Sequence, residues 1–146
     1  MAATPDGVPD PRPRALFAAL AVGTLVLGLL VHQAGSVLPP AVQDILGDAL
    51  WAMMIAWLAG TLVPRAPRGW RAVAALVFAW AVEFSQLLHA PWVDGWRRTT
   101  LGQLTLGTDF DPRDLAAYAV GVLGAVLIEA ALGRSAPSSS GRQRVT

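Results

Sequence analysis

Two polar residues inside an apolar segment are the side chains of this sequence best suited to chemistry. Glu83 lies within the apolar run 72–88, and Gln86 follows it three residues later, on the same face of a helix. A carboxyl group at such a depth is costly in hydrocarbon, and it is usually paired or functional. The pair therefore predicts a polar site inside a membrane protein, able both to accept and to donate hydrogen bonds.

Four apolar segments are long enough to hold such a site within a bilayer. They are residues 15–32, 45–63, 71–89 and 112–132. Each approaches the roughly 20 residues that a helix needs to cross about 30 Å of hydrocarbon. Because a backbone within lipid must satisfy its own hydrogen bonds, we predict an all-α fold, a four-helix transmembrane bundle over residues 15–132. The polar ends, residues 1–14 and 133–146, are predicted to be disordered tails.

The composition favours a membrane protein and excludes several classes of function. Charged residues make up 14% of the chain and hydrophobic residues 54%, and the mean hydropathy is +0.49. The absence of cysteine excludes disulfides and thiolate-bound metals. With a net charge of +1 and scattered arginines, no nucleic-acid partner is expected. Zinc, phosphate-loop and dinucleotide motifs are missing from the sequence, so neither a metal nor a cofactor is expected.

The placement of arginine predicts the orientation of the four helices. With both termini in the cytosol, eight of the eleven arginines lie on the cytosolic side and three lie outside, as the positive-inside rule requires. All the basic residues are arginine, and Ala, Gly and Val are abundant, which is typical of a GC-rich bacterial genome. We therefore expect a multi-pass protein of a bacterial inner or plasma membrane, with the lipid bilayer as its main partner.

In this orientation the polar residues of three helices converge toward the outer leaflet. Asp48 lies near the outer end of the second helix. Glu83 and Gln86 lie in the outer half of the third helix. Asp114 and Tyr118 share one face at the start of the fourth. An arginine of the outer loop provides a counter-ion. The predicted ligand-binding residues are Asp48, Glu83, Gln86, Arg98, Asp114 and Tyr118.

Structural roles compete with this interpretation for the aspartates. The order Asp111, Pro112, Asp114 is typical of a helix start, with Asp111 as the N-cap and proline as the first helical residue. Asp48 also suits a helix N-terminus, where negative charge is favoured. Glu129 falls at the opposite, cytosolic end of the last helix and is predicted to be an interfacial residue.

For Glu83 and for the small residues of the helices, the alternative to a ligand-binding role is a structural role in contacts between segments of the chain. Glu83 would then form an ion pair with Arg97 or Arg98 of the outer loop. Small residues at four-residue spacing, Ala117–Gly121–Ala125 and Ala19–Gly23, predict close approach of neighbouring helices.

The polar motifs also resemble a family of small bacterial membrane proteins. The motifs are Gly47-Asp48-Ala49-Leu50-Trp51, Glu83-x-x-Gln86, Arg98-Thr99, and Leu106-Gly107-Thr108-x-Phe110-Asp111-x-x-Asp114-Leu115-x-x-Tyr118-x-x-Gly121. Over about residues 45–130 they are similar to the family catalogued as domain of unknown function 2809 and, more widely, to the VanZ-like superfamily. The resemblance implies a membrane protein of four or five helices, with VanZ itself associated with glycopeptide antibiotic resistance at the cell envelope.

Three classes of function are compatible with these observations. The leading hypothesis is a membrane protein that binds a polar or amphiphilic envelope ligand, such as a lipid headgroup or a cell-wall precursor. An alternative is a membrane-embedded enzyme for a lipid-linked substrate, with Glu83 as general acid or base beside Asp114; no nucleophile or metal motif accompanies them, so binding is favoured. A third is a passive partner subunit whose polar residues only hold helices together. A transporter of four helices would require several copies, so that role implies a homo-oligomer.

Overall fold

The computed structural model describes residues 14–34, 37–88, 90–106 and 110–134, and these ranges contain helices and turns without a β-strand. The helices are α1 (Arg14–Gln33), α2 (Pro40–Leu62), α3 (Arg68–Ser85), α4 (Pro91–Arg97), α5 (Thr100–Leu106) and α6 (Pro112–Arg134). The prediction of an all-α fold is confirmed. The predicted tails lie outside the described residues, except that Arg14, Gly133 and Arg134 are helical.

Prolines mark the start of most of these helices. Pro40, Pro91 and Pro112 are the first residues of α2, α4 and α6, and Pro67 stands immediately before α3. Proline suits these positions because its φ is already helical and its missing N–H would have no partner in the first turn. As a result α2 begins at Pro40, ahead of the apolar segment that starts at residue 45.

The segment between α3 and α6 is more ordered than the sequence pattern predicts. It contains the two short helices α4 and α5, where a connecting loop was expected. Gly102 allows them to pack together, since a Cβ atom at this position would collide with the backbone carbonyl of Trp96. Both helices are seven residues long, too short to produce a recognisable apolar period.

Three helices, α1, α2 and α6, are long and apolar enough to cross a membrane, with mean hydropathies of 2.3, 1.6 and 2.1. Most of their large apolar side chains are exposed, and along α1 only Phe17 and Ala21 are buried. A continuous apolar surface of this kind fits lipid better than water. These properties indicate a membrane protein. The fourth long helix, α3, has 18 residues but carries three charges, at Arg68, Arg71 and Glu83.

Contacts along the helices define their relative directions. The Phe17 and Trp57 rings lie 6.3 Å apart, and Gly28 approaches Leu50, so α1 is antiparallel to α2. Helix α3 is antiparallel to α6, because its two ends contact opposite ends of α6. We call these the Glu83 end, where Glu83 contacts the start of α6, and the Arg71 end, where Arg71 contacts Glu129.

Small residues set the close contact between α2 and α6, which are parallel. Ala117, Gly121 and Ala125 are buried on α6, and a Cβ atom at position 121 would collide with the backbone carbonyl of Ala49. The predicted role of this triplet in helix packing is confirmed. The same prediction for Gly23 is wrong, because a Cβ atom there would meet nothing within 4 Å.

Candidate functional site

Glu83 is the centre of a hydrogen-bond network at the Glu83 end. Its side chain is 0% exposed. Oε2 accepts hydrogen bonds from the Tyr118 hydroxyl at 3.0 Å and from Gln86 Nε2 at 3.2 Å, and Oε1 accepts one from the backbone N–H of Asp111 at 2.8 Å. Three donors on one carboxylate offset the cost of removing it from water. The network ties the last turn of α3 to the first turns of α6.

The ends of two helices bring these donors together. Gln86 is the C-cap residue of α3, one turn beyond Glu83, so both side chains point to the same side. Asp111 precedes α6, and its side chain accepts a hydrogen bond from the N–H of Arg113 at 2.9 Å, which confirms the predicted N-cap. Because Asp111 lies outside the helix, its own N–H is free of the helical ladder and reaches Glu83. The Trp51 ring, 5.5 Å from that of Tyr118, packs beside the phenol.

Asp48 and Asp114 form a second polar group beside this network. Their carboxyl groups are close neighbours across α2 and α6, and both residues are half-buried. The close approach of the two helices at Ala49 and Gly121 explains why acids on separate helices meet. Asp44 and Glu83 are further acidic neighbours of Asp48.

The described arginines do not neutralise this acidic pair. Those that form ion pairs with described acids are Arg68 and Arg71, which bind Glu129, and Arg97, which binds Asp94. Within the same ranges, no three His, Cys, Asp or Glu side chains are grouped closely enough to hold a metal ion. Five of the six predicted ligand-binding residues are thus brought together at the Glu83 end. Arg98 is the sixth; its side chain is exposed, and no described ion pair joins it to the other five.

Arg97, the neighbour of Arg98, is the buried arginine of the segment between α3 and α6. Its guanidinium donates hydrogen bonds to the backbone carbonyls of Ser85 at 2.7 Å and Leu88 at 3.0 Å, and it lies 3.6 Å from the Asp94 carboxylate. The last carbonyls of a helix have no partner within it, so Arg97 closes the end of α3 from a separate helix. The alternative prediction, an ion pair between Glu83 and Arg97, is therefore wrong.

A second buried cluster lies at the Arg71 end. Arg71 Nη2 lies 2.6 Å from Glu129 Oε1, Arg71 Nε donates to the Ala66 carbonyl at 3.2 Å, and the guanidinium stands 4.7 Å from the centre of the Phe17 ring. Glu129 is thus buried and ion-paired rather than exposed, and its predicted position at the membrane–water interface stays a prediction. The sequence contained a signal for this ion pair: Arg71 and Glu129 carry opposite charges at the same end of two antiparallel helices.

Comparison with known proteins supports the family resemblance. No solved structure matches the chain. A sequence profile described as "Protein of unknown function (DUF2809)" matches residues 37–122, more than half of the 146 residues. The match runs from just before α2 into α6, and it contains all six predicted ligand-binding residues but neither α1 nor Glu129. The relationship to the wider VanZ-like superfamily stays a prediction. The chain belongs to the DUF2809 family of proteins of unknown function.

Proposed function

We propose that this protein is a multi-pass membrane protein that binds the hydrogen-bond-donating headgroup of an amphiphilic envelope ligand at Asp48 and Asp114. The observation that supports this function is the carboxyl pair on neighbouring helices, which no described arginine neutralises. An ammonium group or a hydroxyl-rich headgroup supplies the donors that such a pair accepts, and charge-assisted hydrogen bonds are the strong ones. Because arginine concentrates toward the opposite end, the Glu83 end is assigned to the outer leaflet of a bacterial inner membrane.

The residues around the pair have different roles in this proposal. Glu83 is fully buried and does not contact the ligand; with Tyr118 it fixes the start of α6, and so the position of Asp114. Arg98 is exposed at the same end of the molecule and is available to an anionic group of the same ligand. A zwitterionic headgroup carries both an ammonium group, which suits the carboxyl pair, and a phosphate group, which suits Arg98.

The test compares two lipids that differ in their N–H donors. Phosphatidylethanolamine carries a primary ammonium, whereas the quaternary ammonium of phosphatidylcholine has no N–H. Titrated into the full chain in non-ionic detergent, phosphatidylethanolamine should raise Tm by more than phosphatidylcholine. The difference should disappear in Asp48→Asn and in Asp114→Asn, since each removes a carboxylate from the pair.

Asp44→Asn is the matched control for this experiment. It lies one turn from Asp48 on α2, is exposed, and loses the same charge. The control should keep the full difference between the two lipids. Equal responses of Asp44→Asn and Asp48→Asn would exclude the carboxyl pair as the headgroup site.

The complete pairing of Glu83 supports a second candidate, a partner subunit whose polar residues only hold helices together. Its described donors, Gln86, the Asp111 backbone and Tyr118, tie the end of α3 to the start of α6, as a purely structural role requires. In that case the wild-type protein should respond equally to the two lipids.

Acid–base catalysis by Glu83 is less well supported, because a catalyst must touch its substrate and this side chain has no exposed surface.

A further inference from the structure

The Arg71 end contains a polar cleft that the proposed headgroup site does not use. Apolar side chains of α2, α3 and α6 line it together with the charged residues Arg68, Arg71 and Glu129. Its cavity volume is about 10 Å³, which accommodates one water-sized group. The cleft therefore suits a single small polar group at its base, with the rest of any ligand outside.

Positive charges outnumber negative charges in this cleft. Arg71 Nη2 lies 2.6 Å from Glu129 Oε1, and Arg68 Nε lies 3.7 Å from the same oxygen. Two guanidinium groups thus share one carboxylate, and the three side chains carry a formal charge of +1. The Arg71 side chain is 7% exposed and that of Arg68 is 41% exposed, so Arg68 can turn toward a ligand while Arg71 keeps its buried partner.

The start of α3 adds backbone donors to the same place. Pro67 occupies the N-cap position and makes no side-chain hydrogen bond to the helix. The first N–H groups of α3, from Arg68 to Trp70, consequently lack the side-chain cap that many helices have, and a helix N-terminus with free amides attracts anions. Arg68 and Arg71 belong to this first turn and also line the cleft.

The surroundings of the cleft indicate where its anion comes from. Trp70 in the first turn of α3 is 71% exposed, and Leu62 at the end of α2 is 74% exposed. Exposed tryptophan and leucine next to arginine are typical of a membrane–water interface, where lipid phosphates lie. A free ion would need none of this apolar surface.

We propose that the phosphate group of an anionic membrane lipid binds at the mouth of the cleft at the Arg71 end, through Arg68, Arg71 and the first amides of α3, with one phosphate oxygen inside the cleft. A free phosphate ion offers the same chemistry and is the alternative source. This site is independent of the carboxyl pair at the Glu83 end, and it stands whether or not that pair binds a headgroup.

The experiment measures the thermal stability of the full chain in mixed micelles that contain phosphatidylglycerol or phosphatidylcholine. Phosphatidylglycerol should stabilise the wild type more. Arg68→Gln should raise the half-saturating mole fraction of phosphatidylglycerol about tenfold, equivalent to ~1.4 kcal/mol. This variant leaves the buried contact between Arg71 and Glu129 in place, so it is expected to fold.

Arg65→Gln is the charge-matched control, because Arg65 is exposed in the same connection and does not line the cleft. It should shift the half-saturating fraction by less than about twofold, as expected for one exposed surface charge. Equal effects of the two substitutions, or no preference of the wild type for phosphatidylglycerol, would overturn the site.

Inorganic phosphate tested alone separates the two sources of the phosphate group. An Arg68-dependent stabilisation by the ion supports a free phosphate, and the absence of such stabilisation supports the lipid. Asp48→Asn should leave the response to phosphatidylglycerol unchanged.

Discussion

At the scale of single residues, the buried charged groups of α3 and α6 have partners in the same chain. Glu83 accepts three hydrogen bonds, and Arg71 pairs with Glu129. The surrounding lipid explains this pairing, since an isolated charge in hydrocarbon costs several kcal/mol or more. Asp48 and Asp114 differ from these groups because they are half-buried and lie beside other acids, and no described arginine forms an ion pair with them. That contrast separates the residues that hold the fold from those assigned to a ligand.

Tyr118→Phe tests the network around Glu83 with the least change in volume. It removes one of three donors from a fully buried carboxylate, so the free energy of unfolding should fall by about 1–3 kcal/mol. Denaturation of the purified protein, followed by tryptophan fluorescence, measures the loss. Thr24→Val is the control, since the Thr24 hydroxyl bonds only to the Leu20 carbonyl of its own helix. A smaller loss in Tyr118→Phe than in this control would contradict the network.

At the scale of helices, the distance between α2 and α6 decides whether a carboxyl pair forms at all. Gly121 leaves room for the backbone of Ala49, and Gly124 does the same for the Met53 side chain, whose Cε would lie 2.7 Å from an added Cβ atom. Without these small residues the helices would stand further apart, and Asp48 would lose contact with Asp114. The acidic pair is therefore a consequence of glycine on the facing surface of α6.

Gly121→Ala should disrupt this contact. The added methyl group collides with backbone, which cannot rotate away as a side chain can, so we expect a loss of stability of about 1–3 kcal/mol or more. The same substitution should abolish the preference for phosphatidylethanolamine. Gly47→Ala is the control on α2, because a Cβ atom there meets nothing within 4 Å and alanine favours the helix by up to about 1 kcal/mol. Thermal unfolding of the two variants in the same detergent gives the comparison, and equal Tm values would exclude the close contact.

At the scale of the whole molecule, α3 extends over the same distance as the helices beside it. Its 18 residues span about 27 Å, close to the roughly 30 Å thickness of the hydrocarbon core. Glu83 contacts the start of α6 and Arg71 contacts Glu129 near its end, so α3 follows α6 along most of its length. Because Glu83 and Arg71 have partners on α6, placing α3 in lipid costs less free energy. We therefore propose that α3 crosses the membrane as well, which makes four crossings.

The cysteine-free sequence allows a direct test of this topology. Gly69 lies at the start of α3 and Gly95 lies beyond its other end, in α4. Both are exposed, and a Cβ atom at either position meets nothing within 4 Å. In intact cells an impermeant thiol reagent should label Gly95→Cys and not Gly69→Cys. Both should react after the membrane is permeabilised. Equal labelling of the two in intact cells would mean that α3 does not cross, and labelling of position 69 alone would reverse the orientation.

The sequence by itself determined that the protein is helical, with helices apolar enough to cross a membrane, since apolar length and hydropathy are properties of each segment alone. It also determined the start of α6, because Pro112 acts locally, and the family, whose profile covers the polar motifs. It placed the start of α2 at residue 45, five residues after Pro40. It did not determine α4 and α5, which are too short for a periodic signal.

Only the tertiary structure decided which polar groups meet. A helix in lipid is apolar on almost every face, so its sequence contains little information about which face turns toward its neighbours. The rotation and register of α2, α3 and α6 follow instead from small residues such as Gly121, which act only when a second helix is present. For this reason Glu83 was recognisable as a polar centre, while its three donors, the burial of Glu129 and the capping role of Arg97 were decided by the fold.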